Sequence, residues 1–274
     1  MPRQDRGRPI QRPSSDSLLP SDTASRIARL QSVATVRQQL NASLVMMRFL
    51  HSAWAGNSAI KANAEAMGEI VQCTGAIGAA SRWLESRSEL LLNRLRASGY
   101  FISEALVETR WRLTLGLGSE SPSEIGFSLH RTGCPYLPSS SLKGLARETA
   151  VRSGASTSDI NRLFGTKESP GNVVFGDGFP CSSHRKSKQL LELDVMNPHF
   201  PDYYQKSGVW PTEWQNPVPI VFLAVPKGLV FKIWVASRSN ISDASTTLGY
   251  LIQGLEHFGV GAKKAAGYGW FKAV

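Results

Sequence analysis

Lys263 and Lys264 sit among four glycines and three aromatic residues in the stretch Gly259 to Phe271, Gly-Val-Gly-Ala-Lys-Lys-Ala-Ala-Gly-Tyr-Gly-Trp-Phe. A backbone without Cβ atoms can approach a polyanion closely, two ammonium groups can neutralise phosphates, and Tyr268 or Trp270 can stack on bases. An amphipathic run ending at Phe258 precedes this loop and a strand-like tail follows it. Helix before loop excludes a dinucleotide fingerprint, whose glycines follow a strand and open a helix. A Walker loop is excluded because Tyr268 follows Gly267 where Lys and Ser/Thr would be needed. On pattern alone the same residues also describe a glycine-rich turn with a solvated lysine pair and core aromatics.

A second stretch, His130 to Glu148, places Ser139, Ser140 and Ser141 after Pro138 at the start of a helical run. Free backbone N–H groups and hydroxyls at a helix start form an anion site. Lys143 in the first turn is disfavoured by the helix dipole unless an external anion offsets it, and Arg147 follows one turn on, on the same face. An ordinary serine-capped helix with exposed charges fits equally. The third stretch, Leu191 to Tyr204, carries Asp194, Met196, Asn197, His199 and Asp202 between prolines, which reads as an extended loop able to wedge against bases. Its spacing matches no metal motif. Neither Ser139 to Ser141 nor the five histidines form a catalytic or metal pattern. Asp177, between two glycines, reads as a turn aspartate.

The elements that position these groups change character along the chain. Residues 1–22 are rich in Arg, Pro, Ser and Asp and read as a disordered basic arm. Residues 23–99 carry helical periodicity, with a break at Ala55 to Ser58 and a stop at Gly99. From Tyr100 the pattern predicts a strand over Ala105 to Leu117, a helix over Ser141 to Arg152 and a strand over Asn172 to Phe179. An irregular insertion follows over about 180–219. Strands over Ile220 to Val225 and Leu229 to Ala236, a helix over Ser245 to Phe258 and a strand over Tyr268 to Ala273 complete the chain. This order predicts an α+β fold, a ferredoxin-like (RRM-like) βαββαβ domain over 100–274, preceded by an α-helical N-terminal segment. RNA-binding versions of that fold hold single strands on the open sheet face and the loops around it.

Composition narrows the partner. The 274 residues carry 31 Lys+Arg against 21 Asp+Glu, a net charge of +10, which favours nucleic acid or another acidic surface. Three cysteines without C-x-x-C spacing argue against a disulfide framework and a zinc knuckle, and predict a cytoplasmic protein. No apolar run is long enough to span a bilayer, so no membrane partner is expected.

Taken in order, these motifs resemble the RAMP superfamily of CRISPR proteins. Within it they look like the subunit of the type III-B (Cmr) effector complex near the 3′ end of the guide RNA, the sixth of the Cmr set. The residues that carry the resemblance are Pro135 to Gly144, Leu163 to Gly165, Val174 to Asp177, Asp194 to His199 with Asp202 to Tyr204, and Gly259 to Phe271. Pro138 to Ser141 stands where the family pattern has Pro-Gly-Ser-Ser. The resemblance implies a non-catalytic RNA-binding subunit without cofactor or metal, contacting crRNA and target RNA. Neighbouring RAMP backbone subunits and a small helical subunit are its expected protein partners. The implied RNA-binding set is Arg131, Ser139, Ser140, Ser141, Lys143, Arg147, Met196, Asn197, His199, Gly261, Lys263, Lys264, Gly267 and Tyr268. The competing expectation is a metal-independent RNA endonuclease that processes CRISPR precursor RNA, with His130 or His199 as general base.

Overall fold

The computed structural model describes residues 33–49, 59–118, 125–184, 189–197, 199, 203, 207–212 and 219–274. The expected arm over 1–22 and the break at 55–58 lie outside them. Among the described residues four helices come first: α1 (Ala34–Arg37), α2 (Ala42–Leu44, continued by a π turn over Val45–Phe49), α3 (Ala59–Val71) and α4 (Thr74–Ala97). Strand β1 (Phe101–Thr109) follows, then α5 (Ser139–Arg152), α6 (Thr157–Phe164), β2 (Val173–Phe175) and β3 (Phe179–Pro180). The chain continues through β4 (Glu192–Met196), β5 (Ile220–Ala224), β6 (Val230–Ser237), α7 (Ile241–His257) and β7 (Phe271–Ala273).

The main sheet runs β2–β6–β1–β7, with β3 also pairing β6, and every pairing is antiparallel. Alternation along β6 divides its side chains between two faces, as the pleat requires. Phe231, Ile233 and Val235 point into the main core with Leu142 and Ala146 of α5 and Leu248, Leu251 and Leu255 of α7. Trp234 and Ala236 meet Leu92 and Leu95 of α4 on the opposite face. On that second face Lys232 joins Glu89 of α4 to Glu104 of β1, and Arg96 pairs Glu104. The sheet face expected to be open is therefore partly covered by the chain's own helix. β4 and β5 form a separate two-stranded sheet, and α3 packs against it.

Several element boundaries differ from the sequence pattern for identifiable reasons. β1 ends at Thr109 although Trp111, Leu113 and Leu115 continue the alternation, because Leu113 leaves the sheet to exchange backbone hydrogen bonds with Val225 at 3.0 and 2.8 Å. α7 starts at Ile241, four residues before the predicted Ser245, since the Asn240 side chain accepts the Asp243 N–H at 2.7 Å. The predicted strand over Asn172 to Phe179 is split into β2 and β3 at Gly176 to Gly178. Residues 192–196, predicted as loop, are strand β4: Glu192, Asp194 and Met196 turn inward while Leu193 and Val195 are exposed, the reverse of the usual pattern.

Candidate nucleic-acid interface

The glycine-rich loop is held by its own backbone. Val260 N–H donates to Gly269 O at 2.9 Å, Ala262 N–H to Thr114 O at 2.9 Å and Gly269 N–H to Arg112 O at 2.8 Å. These approaches explain the glycines. A Cβ on Gly269 would lie 1.9 Å from Val260 O, and one on Gly261 2.4 Å from Thr114 O, both at positive φ. Most of the bare backbone is thus spent on chain-to-chain contact. Gly267 differs, since a Cβ there would meet only the Trp111 ring edge at 3.9 Å.

Beneath the loop, residues from β4 and the segment after β1 assemble an ionic latch. Tyr268, 8% exposed, donates its hydroxyl to Asp194, and its ring packs against Phe222. Arg112 pairs Glu192 and lies 3.3 Å from Asp194, which raises the guanidinium pKa further. Burial, then the hydrogen bond to Asp194, pushes the Tyr268 phenol up to about 12. The expectation that Tyr268 stacks on bases is corrected here: its ring is buried, and it anchors the loop to β4. The inward acids of β4 are satisfied by this pair, which accounts for the inverted strand.

Lys263 adopts left-handed backbone geometry, φ 57°, the single such non-glycine residue among those described. That conformation lays its side chain across Phe222, with Nζ 5.5 Å from the ring centroid and 3.2 Å from the Met196 sulfur. The loop lysine and the β4 methionine, distant in sequence, are therefore neighbours. Lys264 is exposed beside them. Trp111, 44% exposed, lies next to Gly267 with Arg112 at 5.1 Å and Lys227 at 5.9 Å from its ring centroid. An exposed indole has a π face on which a base can stack, and the neighbouring cations suit an anionic ligand. Trp111 carries no motif; in sequence it falls inside the predicted strand over Ala105 to Leu117, and the available signal was an aromatic residue beside Arg112.

The helix-start group occupies the other edge of the sheet. Leu137 and Gly178 exchange backbone hydrogen bonds at 2.8 Å, and this brings Asp177 to accept the Ser139 N–H at 2.7 Å. Asp177 is thus a cap for α5, and the predicted anion site already holds a carboxylate at its first donor. α5 starts at Ser139 rather than Ser141 for the same reason. Ser140 is exposed and Ser141 partly so. Lys143 and Arg147 have no carboxylate partner among the described residues, consistent with an external anion. α5 flanks the β2/β3 edge and the loop flanks β7, so three strand spacings of about 4.8 Å put roughly 14 Å between the two groups.

Arg131 and His130 lie near the helix start. Asn41 holds this turn through its side-chain N–H, which donates to Arg131 O at 3.1 Å. Burial, then the Arg131 charge, lowers the His130 pKa, while Nδ1 faces Thr132 Oγ1 at 2.9 Å. Asn197 and His199 follow β4 and are exposed. Among the described residues no group of His, Cys, Asp and Glu could hold a metal ion.

An antiparallel sheet backed by two helices on one face, with basic and aromatic side chains along its rim, defines an α+β protein. The RAMP superfamily model matches residues 77–272, and the chain belongs to that superfamily. Among curated relatives, the CRISPR system Cmr subunit Cmr6 of Pyrococcus furiosus is 31% identical over 241 residues, 65% of this chain and 68% of that protein. Among solved structures, one of the type III-B Cmr-β complex bound to cognate target RNA, by cryo-electron microscopy, matches with a TM-score of 0.60 at 22% identity. That match covers 70% of this chain and 64% of the other, so this chain spans just under two thirds of its neighbour's length. The crystal structure of Cmr6 from Pyrococcus furiosus matches at 26% identity and a TM-score of 0.45, over 64% of this chain and 98% of that one.

Proposed function

We propose that this chain is a non-catalytic RNA-binding subunit of a type III-B CRISPR ribonucleoprotein, capping the backbone filament near the 3′ end of the crRNA and contacting the guide–target duplex. The observation that carries the proposal is the pair of carboxylate-free cation groups at the two edges of one sheet. Lys263, Lys264 and Lys227 with exposed Trp111 stand at one edge, and Lys143 and Arg147 at the other. Two such groups separated by the width of a sheet suit non-adjacent phosphates of one strand. The strand order β2–β6–β1–β7 with α5 and α7 on one face supports the ferredoxin-like βαββαβ reading. Neighbouring RAMP subunits, a small helical subunit, target RNA and a cytoplasmic setting belong to the same proposal, which similarity to Cmr6 supports as regards membership of a Cmr complex.

Filter binding of crRNA across a salt series tests this reading. Lys143→Ala with Arg147→Ala, and Lys264→Ala separately, are each expected to weaken binding and flatten its salt dependence, by roughly 0.7 in slope for each phosphate no longer neutralised. Unchanged slopes in all variants would overturn the reading. The partly buried His130, whose pKa is lowered by burial and by the Arg131 charge, is the observation that favours the endonuclease alternative. Specific cleavage of repeat RNA in EDTA, abolished by His130→Ala, would establish it and displace the non-catalytic role.

A further inference from the structure

Helix α4 uses one side on the sheet and leaves another uncovered. Ile77, Ser81, Leu84 and Leu92 are buried, whereas Trp83, Arg87, Leu90 and Arg94, spaced by four, three and four residues, form an adjacent stripe. Trp83 is 48% and Leu90 64% exposed, and the Arg87 guanidinium lies 5.4 Å from the Trp83 ring centroid. The stripe forms one wall of a cleft of about 590 Å³. The opposite wall is His130, Arg131, Ser139 and the Gly176–Asp177 turn, and Trp234 lies at its base.

Three properties of this cleft are unaccounted for by the fold. Arg87, Arg94 and Arg131 have no carboxylate partner among the described residues, and Asp177, the one acid lining the cleft, is engaged by Ser139. Trp234 is buried, yet its Nε1–H has no acceptor. Leu90 and Leu91 present aliphatic surface to water at the rim. Gly176 is what admits the indole, since a Cβ there would stand 2.0 Å from the ring.

We infer that this cleft is a docking site for an acidic, apolar peptide segment of a neighbouring protein subunit. Its carboxylates pair with Arg87, Arg94 and Arg131, and its apolar side chains cover Leu90, Leu91 and Trp83. Trp and Arg beside aliphatic surface are the composition of an interface centre, and desolvated arginines there require opposite charge. Nucleic-acid interfaces are more polar than protein–protein ones, and although a base could stack on Trp83, ribose and phosphate would leave the leucines uncovered. The inference rests on the proposal that the chain works in a multisubunit particle, but not on the phosphate contacts at the glycine loop.

The test uses the full chain carrying the photo-crosslinker p-benzoylphenylalanine in place of Leu90, reconstituted with purified type III-B subunits and guide RNA. Irradiation and mass spectrometry are expected to give a crosslink to one subunit peptide containing several Asp or Glu residues. Crosslinks to RNA alone, to this chain itself, or to nothing would overturn the inference. In the same system Arg87→Glu with Arg94→Glu should lower incorporation into the particle at least tenfold while the isolated chain keeps its crRNA affinity. Incorporation at the wild-type level would also overturn it. Lys264→Ala should show the converse pattern, so a failure of RNA binding and a failure of docking are told apart.

Discussion

Replacing Lys263 by glycine should separate stability from RNA binding. The residue holds φ 57°, a conformation that costs a side-chain-bearing residue about 1–2 kcal/mol and a glycine nothing. Against that relief stand the extra freedom of glycine in the unfolded chain, about 0.5–1 kcal/mol, and the removal of the cation–ring interaction with Phe222, another ~0.5–1 kcal/mol. The terms nearly cancel, so urea unfolding of Lys263→Gly should lie within about 1 kcal/mol of the wild type. Binding of crRNA should not be spared: one phosphate contact on a single strand contributes roughly 0.7 to the salt slope, or about fivefold in affinity per tenfold change in salt. Lys264→Ala, on exposed backbone without strain, should show the same reduction of slope with unchanged stability. Equal slopes for wild type and Lys263→Gly would refute the phosphate contact. A stability loss beyond about 3 kcal/mol would refute the near-cancellation of these three terms.

Three further outcomes are expected. Gly269→Ala drives a Cβ to within 1.9 Å of Val260 O at a positive φ, and should cost at least about 2 kcal/mol in denaturant unfolding and displace the loop. Tyr268 has its phenol pKa raised from 10.0 to about 12, so the stability it contributes is fully present below pH 10 and is lost as pH rises through about 12. Subtracting the ultraviolet titration of Tyr268→Phe from that of the wild type should leave one phenol titrating near 12, and a difference midpoint near 10 would remove the latch. Asp177→Ala should lower stability by about 1 kcal/mol through loss of the α5 cap, read by thermal or urea unfolding, with crRNA affinity little changed.

How much of this was legible before folding differs from element to element. Helices α5 and α7 announce themselves by apolar spacing, whereas α6 went unpredicted, and β6, in which Val230, Phe231, Ile233 and Trp234 are interrupted only by Lys232, is marked by composition. Strand β4 was hidden because its inward residues are Glu192 and Asp194, acceptable there only because Arg112 and Tyr268 arrive from distant parts of the chain. The loop glycines were visible as a flexible, basic stretch, but flexibility in composition became close packing in the fold: three backbone hydrogen bonds to partners 9 to 157 residues away hold the loop. Trp111 had no motif to mark it, since its significance lies in what surrounds it.

Amino-acid order alone determined the superfamily motifs, the excess of positive charge and most of the helices and strands, because each depends on local pattern or on simple sums. Which groups meet was decided only by the tertiary structure. Asp177 reaches α5 through the pairing of Leu137 with Gly178, Lys263 reaches Met196 through one left-handed residue, and α4 reaches the sheet face through Leu92 on Trp234. Those meetings are long-range contacts whose partners are selected by burial and hydrogen-bond satisfaction across the whole chain, which no local stretch encodes.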